Sequence, residues 1–307
     1  MLSRRTFAII VPLLLALVLT GCRARARQQE HATQTAEALV PPTETATPAP
    51  SPTSRPTNTP SPTATPTPRP YIVGIDPGHG GEDLGACHVD TEGRLVLTES
   101  EANLAITLYL RDELAARGIE VVLIRDGDYA LNEEGKDINV DGTVDYVDEL
   151  QARLDMINDA DADLLLSIHQ NAFYYGNALA RDVGGTVTYY CDARPFYEES
   201  LRFAHLAQEA IVSALAEIGY ESSDRGVRLD SELNAPGEPV KHLIVLGPAT
   251  PRLERPSEMP GVLSETLFIT DDQELQLLLD DDVRQRLAVA YADAIEAYFA
   301  GREQLTP

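Results

Sequence analysis

The sequence contains no tryptophan, three cysteines, and few basic residues for its 307 positions. Three cysteines (Cys22, Cys87 and Cys191) are too few for a fold held together by disulfides. The 24 Lys and Arg residues are outnumbered by 49 Asp and Glu residues, which gives a formal net charge of −25. Because binding to nucleic acid relies on clustered basic side chains that neutralise phosphates, this composition excludes a nucleic-acid partner.

The apolar run near the amino terminus, Phe7 to Leu19, is 13 residues long and too short to span a bilayer comfortably. It follows Arg4 and Arg5, so residues 1–22 are predicted to be a signal peptide. The run ends in Leu-Thr-Gly-Cys, which resembles the lipobox of bacterial lipoproteins. That resemblance implies that Cys22 carries the lipid and is the only membrane attachment; the alternative is an ordinary secretory signal.

Residues 23–70 are predicted to be a disordered linker. Positions 41–70 hold 11 prolines and 9 threonines among 30 residues, a composition that cannot bury a core and that favours extended segments. With a lipid on Cys22, this linker is a tether that lets an extracytoplasmic domain reach well away from the membrane. A passive or glycosylated spacer is the alternative interpretation.

Residues 71–303 are expected to form one α/β domain with a mostly parallel, twisted sheet flanked by helices. Short apolar runs alternate with amphipathic segments, the pattern typical of such folds. We predict strands and helices in the following order: Tyr71 to Ile75, Thr98 to Gly118 (helix), Ile119 to Ile124, Leu150 to Ala160 (helix), Leu164 to Ile168, Thr186 to Tyr190, Phe196 to Ile218 (helix), Val262 to Ser264, and Val283 to Phe299 (helix).

Three polar residues come directly after predicted strands: His79, His169 and Glu265. The carboxyl ends of parallel strands form the ligand crevice of an open α/β sheet, so these side chains are expected to point into one cleft. Two imidazoles and a carboxylate suit zinc and leave a fourth position for water. Either histidine alone would more often be structural.

Several segments together resemble the zinc-dependent N-acetylmuramoyl-L-alanine amidases of bacterial cell-wall turnover. They are IVGIDPGHGGEDLGA at 72–86, ESEANL at 99–104, residues 153–171 with ADLLLSIHQN, DRGV at 224–227, and MPGVLSETLFI at 259–269. The resemblance implies that His79, Glu99 and His169 bind Zn²⁺ and that Glu265 is the catalytic carboxylate. Glu99 is favoured over Glu101 because the family's glutamate lies four residues before an Asn-Leu pair, here Asn103 and Leu104.

The reaction implied is hydrolysis of the amide between N-acetylmuramic acid and L-alanine in peptidoglycan. Asn171 and Arg225 are candidate substrate contacts, although Arg225 in DRGV could equally pair with Asp224. Two departures from the family pattern stand near Glu265: Thr266-Leu267 replaces a small residue and glycine, and Asp271 replaces an asparagine. Extra bulk there could narrow the cleft.

The alternatives are a peptidoglycan-binding lipoprotein without turnover and a zinc peptidase that cuts within the stem peptide; an activating partner protein is also conceivable.

An insertion at 132–148 contains a second candidate metal site, and it resembles the calcium loops of EF-hands and dockerin modules. Oxygen side chains fall at positions 1, 3, 5, 9 and 12 of a twelve-residue loop, with glycine at position 6. The ligands of a structural Ca²⁺ would be Asp137, Asn139, Asp141, Thr143 (through its carbonyl), Asp145 and Asp148. The alternative is an acidic turn without metal.

The remaining candidates carry weaker signals. Cys87 and Cys191 could form a disulfide in an oxidising compartment. His88, next to Cys87, is interpreted as a loop histidine, and both His205 and His242 are interpreted as structural.

Overall fold

The computed structural model describes residues 69–235 and 237–305, with the side chains of 303–305 left aside. The predicted signal peptide, Cys22 and nearly all of the linker lie outside these residues. In chain order the described strands are β1 (Ile72–Pro77), β2 (Cys87–Val89), β3 (Leu95–Thr98), β4 (Glu120–Leu123), β5 (Leu164–Asn171), β6 (Tyr174–Tyr175), β7 (Ala178–Leu179), β8 (Thr186–Tyr190), β9 (Asp224–Leu229) and β10 (Gly261–Phe268). The helices are α1 (Glu99–Ala116), α2 (Tyr146–Asp159), α3 (Tyr197–Glu217), α4 (Asp272–Leu279) and α5 (Asp281–Leu305).

Six strands form the central sheet in the order β4-β1-β5-β10-β8-β9. The first four run parallel to one another, whereas β8 pairs antiparallel with β10 and parallel with β9. The predicted α/β fold with a mostly parallel sheet is therefore confirmed. Because β8 and β9 are reversed, strands end at both rims of the sheet. The rim at the carboxyl ends of β1, β5 and β10 is called the ligand rim below.

Each face of the sheet is covered by a separate apolar layer. On one face, α1, α3 and α5 bury their apolar stripes against strand residues such as Val73, Leu166 and Val262. On the other face, α2 and the irregular segment 237–260 pack on Leu165, Val187 and Leu263. None of the helices in the described part of the chain is long and apolar enough to cross a membrane.

Most predicted elements were close to the observed ones, but the strands at the ligand rim are longer than expected. The structure corrects the placement of His169 and Glu265, which lie inside β5 and β10 rather than directly after them. The apolar pattern of the sequence stops where polar side chains face the cleft. The backbone pairing of β5 and β10 continues beyond that point for several residues. Helix α2 also begins four residues earlier than predicted, at Tyr146, because Asp145 caps it.

The chain enters the domain at the rim opposite the ligand rim. Arg69 forms a bidentate pair with Asp163, with nitrogen-to-oxygen distances of 2.9 and 3.0 Å. The same carboxylate accepts a 2.9 Å hydrogen bond from the backbone N–H of Ile72, at the start of β1. This arrangement anchors the first strand to the segment just before β5.

Candidate metal centre

His79, Glu99 and His169 meet at the ligand rim although they are distant along the chain. One oxygen of Glu99, Oε1, lies 3.1 Å from Nε2 of His79 and 2.9 Å from Nδ1 of His169. The two imidazole rings stand edge to face with centroids 5.0 Å apart. Each residue offers a ligand atom within 4.8 Å of the others, which makes the three a group able to hold one metal ion.

The loop that carries His79 is shaped by glycine and by two buried arginines. His79 has φ of 64°, a left-handed conformation that is unusual for a residue with a side chain. Arg125 donates hydrogen bonds to the carbonyls of Pro77 and Gly78, and Arg153 donates to those of Pro77 and His79. Arg153 also pairs with Asp76 at 2.9 Å, an ion pair in which both side chains are almost completely buried.

Gly78 is required by the close approach of His169. A Cβ atom on Gly78 would lie 2.2 Å from the nearest ring carbon of His169, far inside van der Waals contact. Gly85 is similarly confined, because a Cβ atom there would approach Glu99 and His79 to 2.6 and 2.7 Å. The glycines of this region therefore leave space for the ligand side chains themselves.

Asp83 is a site residue that the sequence analysis missed. Its Oδ2 lies 2.8 Å from Nδ1 of His79, on the side of the ring away from Glu99. Burial alone would lower the pKa of His79, but the hydrogen bonds to Asp83 and Glu99 raise it to about 10. A carboxylate on the outer nitrogen is the usual partner of a metal-binding histidine, because it orients the ring and fixes the tautomer.

Glu99 is the first residue of α1 and is almost completely buried, whereas Glu101 is exposed. Oε2 of Glu99 accepts a 2.8 Å hydrogen bond from the backbone N–H of Ala86. Burial would raise the pKa of Glu99, but hydrogen bonds with His169 and His79 hold it well below its usual range. The N-cap of the helix is Thr98, which accepts a hydrogen bond from the backbone of Glu101.

Glu265 lies beside His169 because the two residues are paired in the register of β10 and β5. Its Oε2 is buried and has no hydrogen-bond partner among the described residues. Burial raises the pKa of Glu265 to about 7. A carboxyl group with a raised pKa at a cleft, and with an oxygen left free, is poised to exchange protons at neutral pH.

The two departures next to Glu265 do not crowd the cleft in the way that their size suggested. Thr266 is buried with its hydroxyl 2.8 Å from that of Tyr291, and Leu267 is buried in the apolar layer beneath the sheet. Asp271 caps α4 by accepting hydrogen bonds from the backbones of Gln273 and Glu274. All three side chains therefore have structural partners of their own.

The two predicted substrate contacts also have partners within the protein. The side-chain oxygen of Asn171 accepts a hydrogen bond from the backbone of Ala172, at the end of β5. Arg225 donates to the carbonyl of Gly184 at 2.6 and 2.9 Å and stacks over the ring of Phe268. A contact between either residue and substrate stays a prediction.

The candidate calcium loop is closed by hydrogen bonds from its own backbone. Asp137 accepts from the N–H groups of Asp141 and Gly142, and Asp148 accepts from those of Ile138, Asn139 and Asp145. Arg252 pairs with Asp145 and approaches Asp141 to 3.7 Å. The loop is not among the groups of three or more His, Cys, Asp or Glu in the described residues whose ligand atoms lie within 4.8 Å.

The loop assignment of His88 needs correction, and the possible disulfide does not form. His88 is buried in β2, where Nδ1 contacts the carbonyl oxygen of Ile269 at 2.8 Å, so it is not a loop histidine. Cys87 and Cys191 are both free thiols and do not form a disulfide.

Comparison with known proteins decides the family. Residues 73–297 match the family model described as N-acetylmuramoyl-L-alanine amidase. The chain belongs to this amidase family. It is therefore a cell-wall amidase, an enzyme that acts on peptidoglycan outside the cytoplasm.

Relatives of this amidase have been found in several bacteria. It is 30% identical over 227 residues to the uncharacterized protein YqiI of Bacillus subtilis. The alignment covers 74% of this chain and 84% of the relative. It is 28% identical over 245 residues to the N-acetylmuramoyl-L-alanine amidase AmiA of Escherichia coli, with 74% and 76% covered.

Solved structures resemble the amidase over its globular part. The N-acetylmuramoyl-L-alanine amidase AmiC2 of Nostoc punctiforme aligns with a TM-score of 0.54 at 26% identity, covering 75% of this chain and 97% of that one. The CwlD amidase of Clostridioides difficile, solved in complex with the GerS lipoprotein, aligns with a TM-score of 0.56 at 25% identity, covering 75% and 98%.

Proposed function

We propose that this amidase hydrolyses the bond between N-acetylmuramic acid and L-alanine with a Zn²⁺ ion held by His79, Glu99 and His169, and with Glu265 as the general base. The observation that supports the proposal most directly is the convergence of three ligand atoms next to Glu265, whose buried Oε2 has no partner in the described residues. The pairing of Glu265 with His169 in the register of β10 and β5 supports this role.

The donor set fits zinc better than the hard cations. Zinc binds imidazole nitrogen and carboxylate oxygen, and its catalytic sites use three protein ligands plus one open position. Calcium and magnesium instead prefer sets made of oxygen atoms. The carboxylate of Glu99 is buried, so a bound cation would offset the cost of keeping its charge away from water.

When bound, zinc supplies a Lewis acid that polarises the scissile carbonyl and acidifies a water molecule. The chain's own residues carry the proton and hold the ligands in place. Glu265 accepts the proton of the attacking water and then delivers it to the leaving amine of L-alanine, a sequence that one carboxylate completes without a second acid. Asp83 holds His79 so that Nε2 faces the metal side.

The decisive experiment treats muropeptides with the full chain and identifies the products by mass spectrometry. Release of an intact stem peptide that begins with L-alanine supports the proposal. Glu265→Gln is expected to lower turnover by about 10²- to 10⁴-fold while zinc content is unchanged. Glu101→Gln serves as the matched control, because it is an exposed glutamate two positions from Glu99, and it should retain both zinc and activity.

The same assay separates the alternatives. Binding of muropeptides without any product would favour a lipoprotein that binds peptidoglycan but does not cleave it. Shortened stem peptides would favour a zinc peptidase. Full activity of Glu265→Gln would contradict the assigned general base. A zinc count that does not change after the replacement of both His79 and His169 would contradict the assigned ligands.

We further propose that the loop at 137–148 binds a structural Ca²⁺. The backbone hydrogen bonds to Asp137, Asn139 and Asp141 curl the loop around its own side chains, although the ligand atoms would have to close in and Arg252 would have to withdraw. A single loop outside the cell has a dissociation constant of about 10⁻⁴ to 10⁻³ M. Titration with calcium should raise the melting temperature of the full chain, and Asp137→Asn should abolish that rise; an equal rise in both proteins would contradict the proposal.

We also propose that Cys22 is lipidated and that the linker after it tethers the enzyme to the membrane. Mass spectrometry of the mature amino terminus would identify an acylated cysteine, and Cys22→Ser should move the enzyme from the membrane fraction to the soluble fraction. Release of both forms into the soluble fraction would favour an ordinary secretory signal. The relative solved with a lipoprotein also motivates a search for an activating partner by co-purification.

A further inference from the structure

A second cluster of metal-binding side chains lies at the rim of the sheet opposite the ligand rim. Cys191 directly follows β8, Asp230 directly follows β9, and His242 belongs to the irregular segment 237–260. Nδ1 of His242 lies 3.3 Å from Sγ of Cys191 and 2.8 Å from Oδ1 of Asp230. Because β8 and β9 run against β10, their carboxyl ends are on the far side of the sheet from Glu265.

We propose that Cys191, Asp230 and His242 form a second zinc site. The three ligand atoms lie within 4.8 Å of one another, as they do in the group at the ligand rim. Thiolate, imidazole and carboxylate are the three ligand types that zinc uses in proteins. One thiolate and one carboxylate would also balance the two charges of the ion.

The geometry argues against a nucleophilic triad. In such triads the two ring nitrogens divide the work, one facing the nucleophile and the other facing the carboxylate. Here a single nitrogen, Nδ1 of His242, meets both Sγ of Cys191 and the carboxylate of Asp230.

Only a small adjustment is needed to admit the ion. Ligands of a tetrahedral zinc are roughly 3.4–3.6 Å from one another, given bond lengths of about 2.0–2.3 Å. The observed distances of 3.3 and 2.8 Å therefore have to lengthen by a few tenths of an ångström and about 0.6 Å, respectively. His242 keeps part of its ring in contact with solvent, so a water molecule can reach the fourth position.

The site would hold a long irregular segment against the sheet. Asp230 already accepts a hydrogen bond from the backbone of Leu243, and Leu246 packs in the same apolar layer as Cys191. A metal bound here would connect the ends of β8 and β9 to this segment. Long irregular segments are uncommon inside a compact domain, and a metal at this place would help to hold this one against the sheet.

The test uses Co²⁺ as a probe. A cobalt ion bound to a thiolate has a charge-transfer band in the near ultraviolet. The site made of two histidines and a glutamate has no thiolate and therefore lacks this band. The full chain is loaded with Co²⁺, with Cys22→Ser present in every sample so that Cys87 and Cys191 are its two thiols. We expect the band in the parent protein and in Cys87→Ser, and its loss in Cys191→Ser. Counting of zinc should give about two ions in the parent and about one in Cys191→Ser.

Two further variants separate this site from the proposed catalytic site. His169→Ala should lose the other zinc but keep the thiolate band, so failure of one proposal is distinguishable from failure of the other. His242→Gln covers the case in which Cys191→Ser does not fold. His242 is the most exposed of the three ligands, so this variant should stay folded and still lose the thiolate band. Absence of the band in the parent protein, or a zinc count that His242→Gln leaves unchanged, would overturn the second site.

Discussion

Asp83 hydrogen-bonds to the outer nitrogen of His79 while Glu99 contacts the inner one, so the imidazole is held between two carboxylates. The distances are 2.8 and 3.1 Å. The two acids differ sharply in exposure, because Glu99 is buried and Asp83 is largely exposed. Asp83 is therefore an accessible partner of a half-buried ligand, and its replacement changes the site without disturbing the core.

Replacement of Asp83 by asparagine is expected to weaken zinc binding by about 10- to 100-fold, because the outer partner of a metal-binding histidine supports its orientation and basicity. Equilibrium dialysis against a zinc buffer measures the effect. The neighbouring Glu82→Gln removes an exposed negative charge of the same kind and should leave the affinity unchanged. Equal losses in the two variants would attribute the effect to the charge of the loop alone.

Gly78→Ala should displace the ring of His169, because the added methyl group would come within 2.2 Å of it. We expect a large loss of bound zinc. Gly93→Ala is the control: it places a side chain at φ of 79° with no atom within 4 Å of the new Cβ, at a cost of about 1–2 kcal/mol. That variant should be mildly destabilised but fully loaded with zinc, and an unperturbed zinc content in Gly78→Ala would contradict the steric argument.

Arg153→Met should lower the free energy of unfolding by about 3–5 kcal/mol, because it leaves the buried carboxylate of Asp76 without its cationic partner. Arg255→Met breaks an ion pair with Asp155 in which the arginine is largely exposed, and the expected loss is below about 1 kcal/mol. Urea denaturation of both variants gives the comparison. Similar losses would mean that the pair between Arg153 and Asp76 contributes no more than a surface pair.

The pH dependence of turnover should follow the titration of Glu265. The residue acts as a base in its ionised form, so kcat/KM should rise with pH and fall as the carboxylate becomes protonated. Burial raises its pKa to about 7 from the ordinary 4.5, and a nearby dication lowers it again. The acid limb should therefore lie between these two values; a limb below 4.5 would contradict the assignment.

The ordering of strands and helices could be predicted from apolar periodicity, and the helix after Thr98 from its capping residue. Strand β9 was missed because DRGVRL alternates charged residues at the edge of the sheet, where one side faces water. The full lengths of β5 and β10 were missed for a related reason. Polar residues at the ligand rim interrupt the apolar pattern but not the backbone pairing.

The meeting of His79, His169 and Glu265 at one rim could be anticipated because strand ends converge, whereas Glu99 was assigned through a family resemblance. The burial of Arg125 and Arg153 could not be anticipated, since arginine is seldom fully buried. These two side chains are buried because they donate hydrogen bonds to the carbonyls of the folded loop. The cluster of Cys191, Asp230 and His242 depends on an irregular segment whose path no periodicity describes.

The pairing of Arg69 with Asp163 has a mechanical consequence. It clamps the point at which the chain enters the domain, and β1 then runs about 17 Å before reaching the loop of His79. The chain therefore joins the domain at the rear of the enzyme, one strand length away from the ligand rim.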